Sequence, residues 1–179
     1  MRERLRADAV PRAVRSILAA LRADGHEAWL VGGCVRDLLR GVRVADFDAA
    51  TSAPPAAVLA RFPNAVPIGL RHGTVMLPTD AGPLDVTSFR GDGTLAGDLA
   101  HRDFTVNAIA WEPETGRVAD PSGGLADLAA ARLRAVGAAA DRFAEDPLRA
   151  LRAARIVAAL ELEPDAAIEP AMRGAAAGL

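Results

Sequence analysis

The stretch "VADFDAAT", residues 44–51, follows closely on "VGGCVRDLL", residues 31–39. It sets two aspartates, Asp46 and Asp48, on either side of Phe47 in an otherwise apolar, strand-like run. Alternation along a strand puts both carboxylates on one face, with Phe47 and Ala49 on the other. Two like charges side by side repel unless something positive sits between them. A hard divalent cation is the obvious candidate. Taken alone, the pair suits a solvated edge strand or an exposed turn better, so the neighbouring stretches have to decide.

Working outward, residues 9–23 place Val10, Val14, Ile17, Leu18 and Leu21 at helical spacing. "DGHEAWLVGG" then reads as a turn, a short apolar strand and two glycines, and "CVRDLLRG" as a helix closed by Gly41. "ADFDAAT" is a strand, followed by a helix opened by "SAPP", with Ser52 as its cap and proline in its first turn. Strands are expected at "AVPIG", "GTVMLP" and "PLDVTSF". Beyond "GDGT" the pattern turns mixed and helical, with a hairpin at "WEPETGRVAD" and a helix from "GGLADLAAA". A long helix is predicted over 146–160, with Leu148, Leu151, Ile156, Val157 and Leu160 facing the core, before a final alanine-rich segment. A strand-rich first half that gives way to helices predicts an α+β fold.

The bulk composition excludes more than it selects. The 179 residues suffice for one domain with a real core, or one domain plus a short appendage. The chain is 51% hydrophobic and 25% charged, which is ordinary for a water-exposed globular protein. All 21 basic residues are arginine, and a net charge of −2 gives no global signature of nucleic-acid binding, so any such surface has to be local. Cys34 is the only cysteine, which excludes a disulfide framework and a thiolate zinc site. The start "MRERLRADAV" lacks the apolar stretch of a signal peptide, and nothing resembles a membrane span, so the expected location is the cytoplasm.

Several residues carry chemistry. Gly32 and Gly33 fall where a strand ends and a helix begins, a place where backbone N–H groups meet an anion. Arg36, one turn on, can add a forked contact to a phosphate, although two glycines can also simply shape a turn. A triphosphate on this turn would set its α-phosphate beside metal ions held by Asp46 and Asp48. Asp85, between Leu84 and Val86, is a third acid embedded in an apolar strand, and sharing a metal would offset its burial. In "HRDFTVNAIAW", Arg102, Asp103 and Asn107 fit either a cap, with Asp103 on backbone N–H groups and Arg102 paired to it, or sugar and phosphate recognition. Asp146 and Arg149 in "EDPLRALRAAR" fit either a surface ion pair worth under ~1 kcal/mol or a donor–acceptor edge for a base.

Together these stretches resemble the class II tRNA nucleotidyltransferase and bacterial poly(A) polymerase family, in the family's order, over about residues 26–155. "LVGGCVRDLLRGVRVADFDAAT" is similar to its first motif, "DLAHRDFTVNAIAW" to its "RRDFTxNA" motif, "DPSGGLADLAAARLR" to its hinge motif and "EDPLRALRAAR" to its "EDxxR" motif. The resemblance implies a polymerase-β-like nucleotidyltransferase head over residues 1–140, a mixed sheet flanked by helices, and the start of a helical neck over 141–179. It implies Asp46 and Asp48 as Mg2+ ligands, with Asp85 completing the catalytic acids. Gly32, Gly33, Arg36 and Asp37 would meet the triphosphate, and Arg102, Asp103 and Asn107 the sugar and phosphates. Asp146 and Arg149 would read the incoming base, with Arg152 and Arg155 of the same motif also counted as nucleotide-binding. The stretch "HGTV" tilts the expected acceptor toward the tRNA 3′ end, with CTP as nucleotide and ATP where a final A is added.

Three departures bear on this. His101 stands where the family usually has arginine, which weakens one expected phosphate or sugar contact at neutral pH. Only "GDGTLAG" separates "DVTSFR" from "DLAHRDF", and in this family a short segment there goes with enzymes that add CC and stop, so a CC-adding activity is expected. The chain ends at Leu179, where the family continues into further helical domains, so a fragment is expected. Rival readings are a poly(A) polymerase-type adenylyltransferase, a nucleotidyltransferase acting on a small molecule or protein, and a catalytically idle nucleotide- or RNA-binding head.

Overall fold

The computed structural model describes residues 1–176. Ala177 to Leu179, the end of the alanine-rich segment and of the neck expected over 141–179, lie outside the described residues. Seven strands form one mixed sheet: β1 (Ala28–Val31), β2 (Phe47–Thr51), β3 (Val66–Gly69), β4 (Thr74–Thr79), β5 (Gly82–Ser88), β6 (Ala110–Trp111) and β7 (Val118–Ala119). Their order is β3-β4-β5-β2-β1-β6-β7. Only β2 and β5 run parallel; every other pair is antiparallel. The three strands expected after residue 64 are present within a residue or so, and the hairpin expected at 111–120 is the β6–β7 pair.

Side-chain alternation sorts the sheet into two faces. On one face, Leu30, Ala49, Val75, Leu77, Leu84 and Val86 are buried in the main core. Helices α1 (Arg12–Ala23), α2 (Gly33–Arg40) and α3 (Pro55–Arg61) belong to that side. α1 buries Val14, Leu18 and Leu21 and α2 buries Cys34, Val35, Leu38 and Leu39. Gly41, in the left-handed conformation that suits glycine, closes α2 as expected. Pro55 opens α3, but Ser52 does not cap it: the Ser52 hydroxyl accepts the Glu27 backbone N–H at 2.9 Å instead. On the second face, α4 (Leu95–Ala100) packs Leu99 over Trp29, Val31, Ala50 and Ala110. The β3–β4–β5 half of that face keeps its side chains half-buried or exposed.

After the hairpin come α5 (Gly124–Ala129), β8 (Arg132–Leu133), α6 (Ala139–Glu145), α7 (Leu148–Leu160), β9 (Glu163–Pro164) and α8 (Ile168–Ala175), with β8 and β9 paired in parallel. The long helix is therefore α7, and Asp146 precedes it, extended, at the end of α6. Its core face also differs from expectation. Ile156 is buried, and Val157 and Leu160 are half-buried against the core, but Leu148 and Leu151 are 60% and 56% exposed. Ala150 and Ala153 share the buried stripe with Ile156 instead.

One buried cluster runs from Val10 through the sheet to Phe143, Ile156 and Ile168. Phe104 joins the parts: it is fully buried and meets Phe143 edge-on, with ring centroids 6.3 Å apart and planes at 73°. Beneath it Asp127, fully buried, accepts the Thr105 hydroxyl at 2.6 Å and pairs with Arg132 and Arg134, each at 2.8 Å. This ties the "RDFTVNA" stretch to α5 and β8. Truncation of Phe104 leaves a cavity at the join, so Phe104→Ala is expected to lower unfolding stability by about 3–5 kcal/mol in urea titration. A loss below about 1 kcal/mol would show that the two parts do not share a core.

Candidate active site

The parallel register sets Asp48 of β2 directly beside Asp85 of β5. Neighbouring strands lie roughly 4.8 Å apart, so the two carboxylates rise close together from the same face. Ala50 shares that face, and Phe47 and Ala49 turn the other way, as alternation predicts. Asp46 precedes the strand by one residue instead of lying within it. Burial pushes the Asp48 carboxyl up; the Arg102 charge pulls it down, and Asp85 and Asp46 push it up again, leaving it above its ordinary value. Asp85 is also raised, first by burial and then by Asp46.

Among the described residues no side chain hydrogen-bonds or forms an ion pair with any of these three carboxylates, so their repulsion is met only by Arg102 at a distance. Nor, among the described residues, do three acidic, imidazole or thiolate groups converge into a ready cage for one ion. Asp48 and Asp85 would offer two carboxylates to a divalent cation, which commonly takes water and substrate phosphate as its other ligands.

Gly32 ends β1 with φ +77°, a conformation that favours glycine, and caps α2. A side chain there would meet the Arg102 guanidinium at 3.0 Å and the Asp48 carboxylate at 3.8 Å. Gly33 starts the helix against the Arg36 guanidinium. Arg36 pairs with Asp37 at 2.9 Å and donates to Asn107 Oδ1 at 2.6 Å. Asn107 Nδ2 donates in turn to Asp103 Oδ1 at 3.2 Å, which also accepts the Phe104 backbone N–H. Arg152 reaches from α7 toward Asp103 at 3.7 Å and pairs with Asp146 at 2.6 Å. Six of the expected residues thus form one polar chain from α2 to α7.

Two pairings differ from expectation. Arg102 pairs with Asp98, not with Asp103, because their i,i+4 spacing puts them on one side of the α4 end. Asp146 and Arg149 are not paired with each other: Asp146 faces Arg152, and Arg149 Nη1 binds Glu145 at 2.9 Å and the Arg142 carbonyl at 3.1 Å. This leaves Arg149 Nε buried with no hydrogen-bond partner among the described residues.

Two clefts meet at Asp48 and Arg152. One, of about 850 Å³, is bounded by Thr74, Thr87 and Arg90 on the sheet side and by Arg102, Asp146 and Arg149 opposite. The other, of about 350 Å³, holds Gly33, Arg36, Asp103, Asn107 and Arg155. Asp98 was not expected. It is fully buried and binds Arg90 at 2.8 Å and Arg102 at 3.0 Å, so it aims both arginines at the larger cleft. The i,i+4 spacing to Arg102 could have indicated it; nothing local links it to Arg90. His101 Nδ1–H donates to the Gly97 carbonyl oxygen at 2.7 Å, with the ring against Gly91.

A half-open mixed sheet with facing aspartates on a parallel strand pair, a glycine turn at a helix start and a polar chain to a following helix define a nucleotidyltransferase-type head. The family described as the poly A polymerase head domain matches residues 28–134, and the chain belongs to that family. It is 48% identical over 145 residues to a CC-adding tRNA nucleotidyltransferase of Shouchella clausii, covering 81% of this chain and 38% of that one. It is 41% identical over 172 residues to a CCA-adding enzyme of Streptococcus pyogenes, covering 88% and 42%. The solved structure of the Bacillus stearothermophilus CCA-adding enzyme in complex with CTP superimposes with a TM-score of 0.83 at 41% identity, covering 88% and 41%. The chain spans about two fifths of the length of these relatives. No helix among the described residues is long and apolar enough to cross a membrane.

A carboxyl raised in the folded state holds its proton more tightly there than in the unfolded chain, so stability falls as pH climbs from about 4, the unfolded value, through the folded one. Asp48→Asn is therefore expected to raise Tm by a few degrees at neutral pH in metal-free buffer, and to flatten that fall. An unchanged or lower Tm would show that Asp48 is compensated in the free protein.

Proposed function

We propose that this chain is the catalytic head and neck start of a tRNA nucleotidyltransferase, which joins a nucleoside monophosphate from CTP to the 3′-hydroxyl of tRNA and releases pyrophosphate. The observation that carries the reading is the Asp48–Asp85 pair, adjacent on parallel strands, half-buried and without a donor. Asp46 and Asp48 would hold divalent cations, Mg2+ by preference, and Asp85 would complete the acid set. Such ions, when bound, supply Lewis-acid polarisation of the α-phosphate and lower the pKa of the attacking hydroxyl.

The chain's own residues do the positioning. The Gly32–Gly33 turn presents backbone N–H groups to the triphosphate, and Arg36, fixed by Asp37 and Asn107, adds charge beside it. Asp103, Asn107, Arg152 and Arg155 line the smaller cleft, where sugar and phosphates would lie. Asp146 and Arg149, which line the larger cleft, would read the base, Asp146 with a carboxylate edge and Arg149 with its guanidinium. The division we favour is a head over 1–140 and a neck starting at 141, in a protein working in the cytoplasm.

Within this activity we favour CC addition. The segment between β5 and α4 is short and tied to itself: Asp92 Oδ1 accepts the Thr94 N–H at 3.0 Å and the Thr94 hydroxyl at 2.7 Å. Thr94 then caps α4 through Gly97 N–H at 3.0 Å. A loop held this way has little freedom to reset the base-reading pair from cytosine to adenine.

The test is extension of tRNA lacking its 3′ terminus, with Mg2+ and CTP, ATP or both, resolved to single nucleotides. Two cytidines added and none beyond, even with ATP present, is the expected outcome. Addition of the terminal A would overturn the CC reading, and absence of transfer with any nucleotide would overturn the activity itself.

A further inference from the structure

Helix α1 lies on the side of the sheet opposite the acids, and where it meets the β6–β7 hairpin there is a cleft of about 710 Å³. It shares no lining residue with the two clefts at Asp48. Four arginines line it: Arg12, Arg15 and Arg22 from α1 and Arg117 from the hairpin. Spacings of three and seven residues keep the first three on one side of the helix, strung over about 15 Å. Most of the chain's arginines pair with a carboxylate, but among the described residues Arg12, Arg15 and Arg117 do not. Arg15 Nε donates to the Val10 carbonyl at 3.3 Å, and Arg117 lies over the Trp29 ring, 5.0 Å from its centroid. Those contacts fix the two side chains and leave their charge unanswered.

Two carboxylates also line the cleft, and they do not cancel this excess. Glu112 is buried, lies 3.5 Å from Arg22 Nη1 and accepts the Thr115 hydroxyl, so it answers Arg22 alone. Glu114 stands exposed on the hairpin turn, against three free guanidinium groups. The first turn of α1 carries no acid, although a helix N-terminus favours one. In a chain of net charge −2 this makes a local cationic stripe. Guanidinium groups strung along a helix suit an anion extended beside it, with charges repeated every few Å, more than a compact one. Among the described residues no aromatic ring lines the cleft, and Trp29 nearby is buried. Single-strand sites combine charge with aromatic stacking, whereas duplex RNA is met mostly through its backbone. We propose that this cleft is a second RNA site, in which Arg12, Arg15 and Arg117 bind the backbone phosphates of a duplex whatever its sequence. That the polyanion is RNA rests on the transfer reading above. On the far side of the sheet from the acids, the site holds RNA and takes no part in the reaction at the α-phosphate.

The test is fluorescence anisotropy of a short, blunt-ended RNA duplex, without Mg2+ or nucleotide, at several salt concentrations. Combining Arg12→Gln, Arg15→Gln and Arg117→Gln is expected to weaken binding about tenfold and to flatten log Kd against log salt by about 2. Arg12→Gln alone, at an exposed side chain that bonds nothing among the described residues, is expected to flatten it by about 0.7–0.9. Removing the same charge outside the cleft, with Arg2→Gln, Arg40→Gln and Arg43→Gln, is expected to leave the slope unchanged. CMP transfer to a short single-stranded acceptor is expected at the wild-type rate in every variant. Wild-type duplex binding by the cleft variants would overturn the site and leave the transfer activity standing. An equal loss in the control set, or an equal dependence on these arginines for a single strand, would do the same. Duplex binding through these arginines by a chain that transfers nothing to any RNA would overturn the transfer reading alone.

Discussion

The structure depends on an electrostatic problem that it does not solve by itself. Asp48 and Asp85 are placed side by side because β2 and β5 run parallel, the one parallel pairing in the main sheet. Two fully buried acids elsewhere among the described residues are answered by several partners each. Asp98 holds Arg90 and Arg102, and Asp127 holds Thr105, Arg132 and Arg134; burial pushes both carboxyls up, but their partners outweigh it and leave both below the ordinary range. At Asp48 and Asp85 the balance runs the other way. The deficit therefore lies at two adjacent acids in a cleft, while Asp98 and Asp127 are compensated by their partners.

Everything around that pair serves to aim charge at it. The absence of a side chain at Gly32 lets Arg102 approach Asp48, and Asp98 fixes Arg102 from behind. The polar chain Asp37–Arg36–Asn107–Asp103–Arg152–Asp146 links the start of α2 to the start of α7. Phe104 and Asp127 anchor the middle of that chain in the core, so its six polar groups are held by one continuous packing unit.

The parts legible in the sequence were those in which neighbours along the chain are neighbours in function. Alternation placed Asp48 opposite Phe47 and Ala49, and the glycine turn, the three later strands and the hairpin followed from local composition. Asp46 fell just outside its strand, a boundary that alternation does not fix. The sequence hid what depends on tertiary partners. Ser52 looks like a helix cap, but the register of β1 against β2 brings the Glu27 N–H to it first. Leu148 and Leu151 look like core residues, but alanines carry the buried face of α7, so residue size misleads. α6 has one large apolar residue, Phe143, at its buried side and therefore no stripe to see. Asp98 reads as an ordinary helix acid until Arg90, across the loop, is brought against it.

The central claim is that Asp48 lacks a partner in the free protein because a divalent cation is its partner in use. Electron paramagnetic resonance of Mn2+, in the presence of a CTP analogue that cannot be cleaved, measures this directly. Stoichiometric ion binding to the wild-type chain, lost in a folded Asp48→Asn variant, is the predicted result. Equal Mn2+ binding by both would contradict the account and leave the facing aspartates without a cation to explain them.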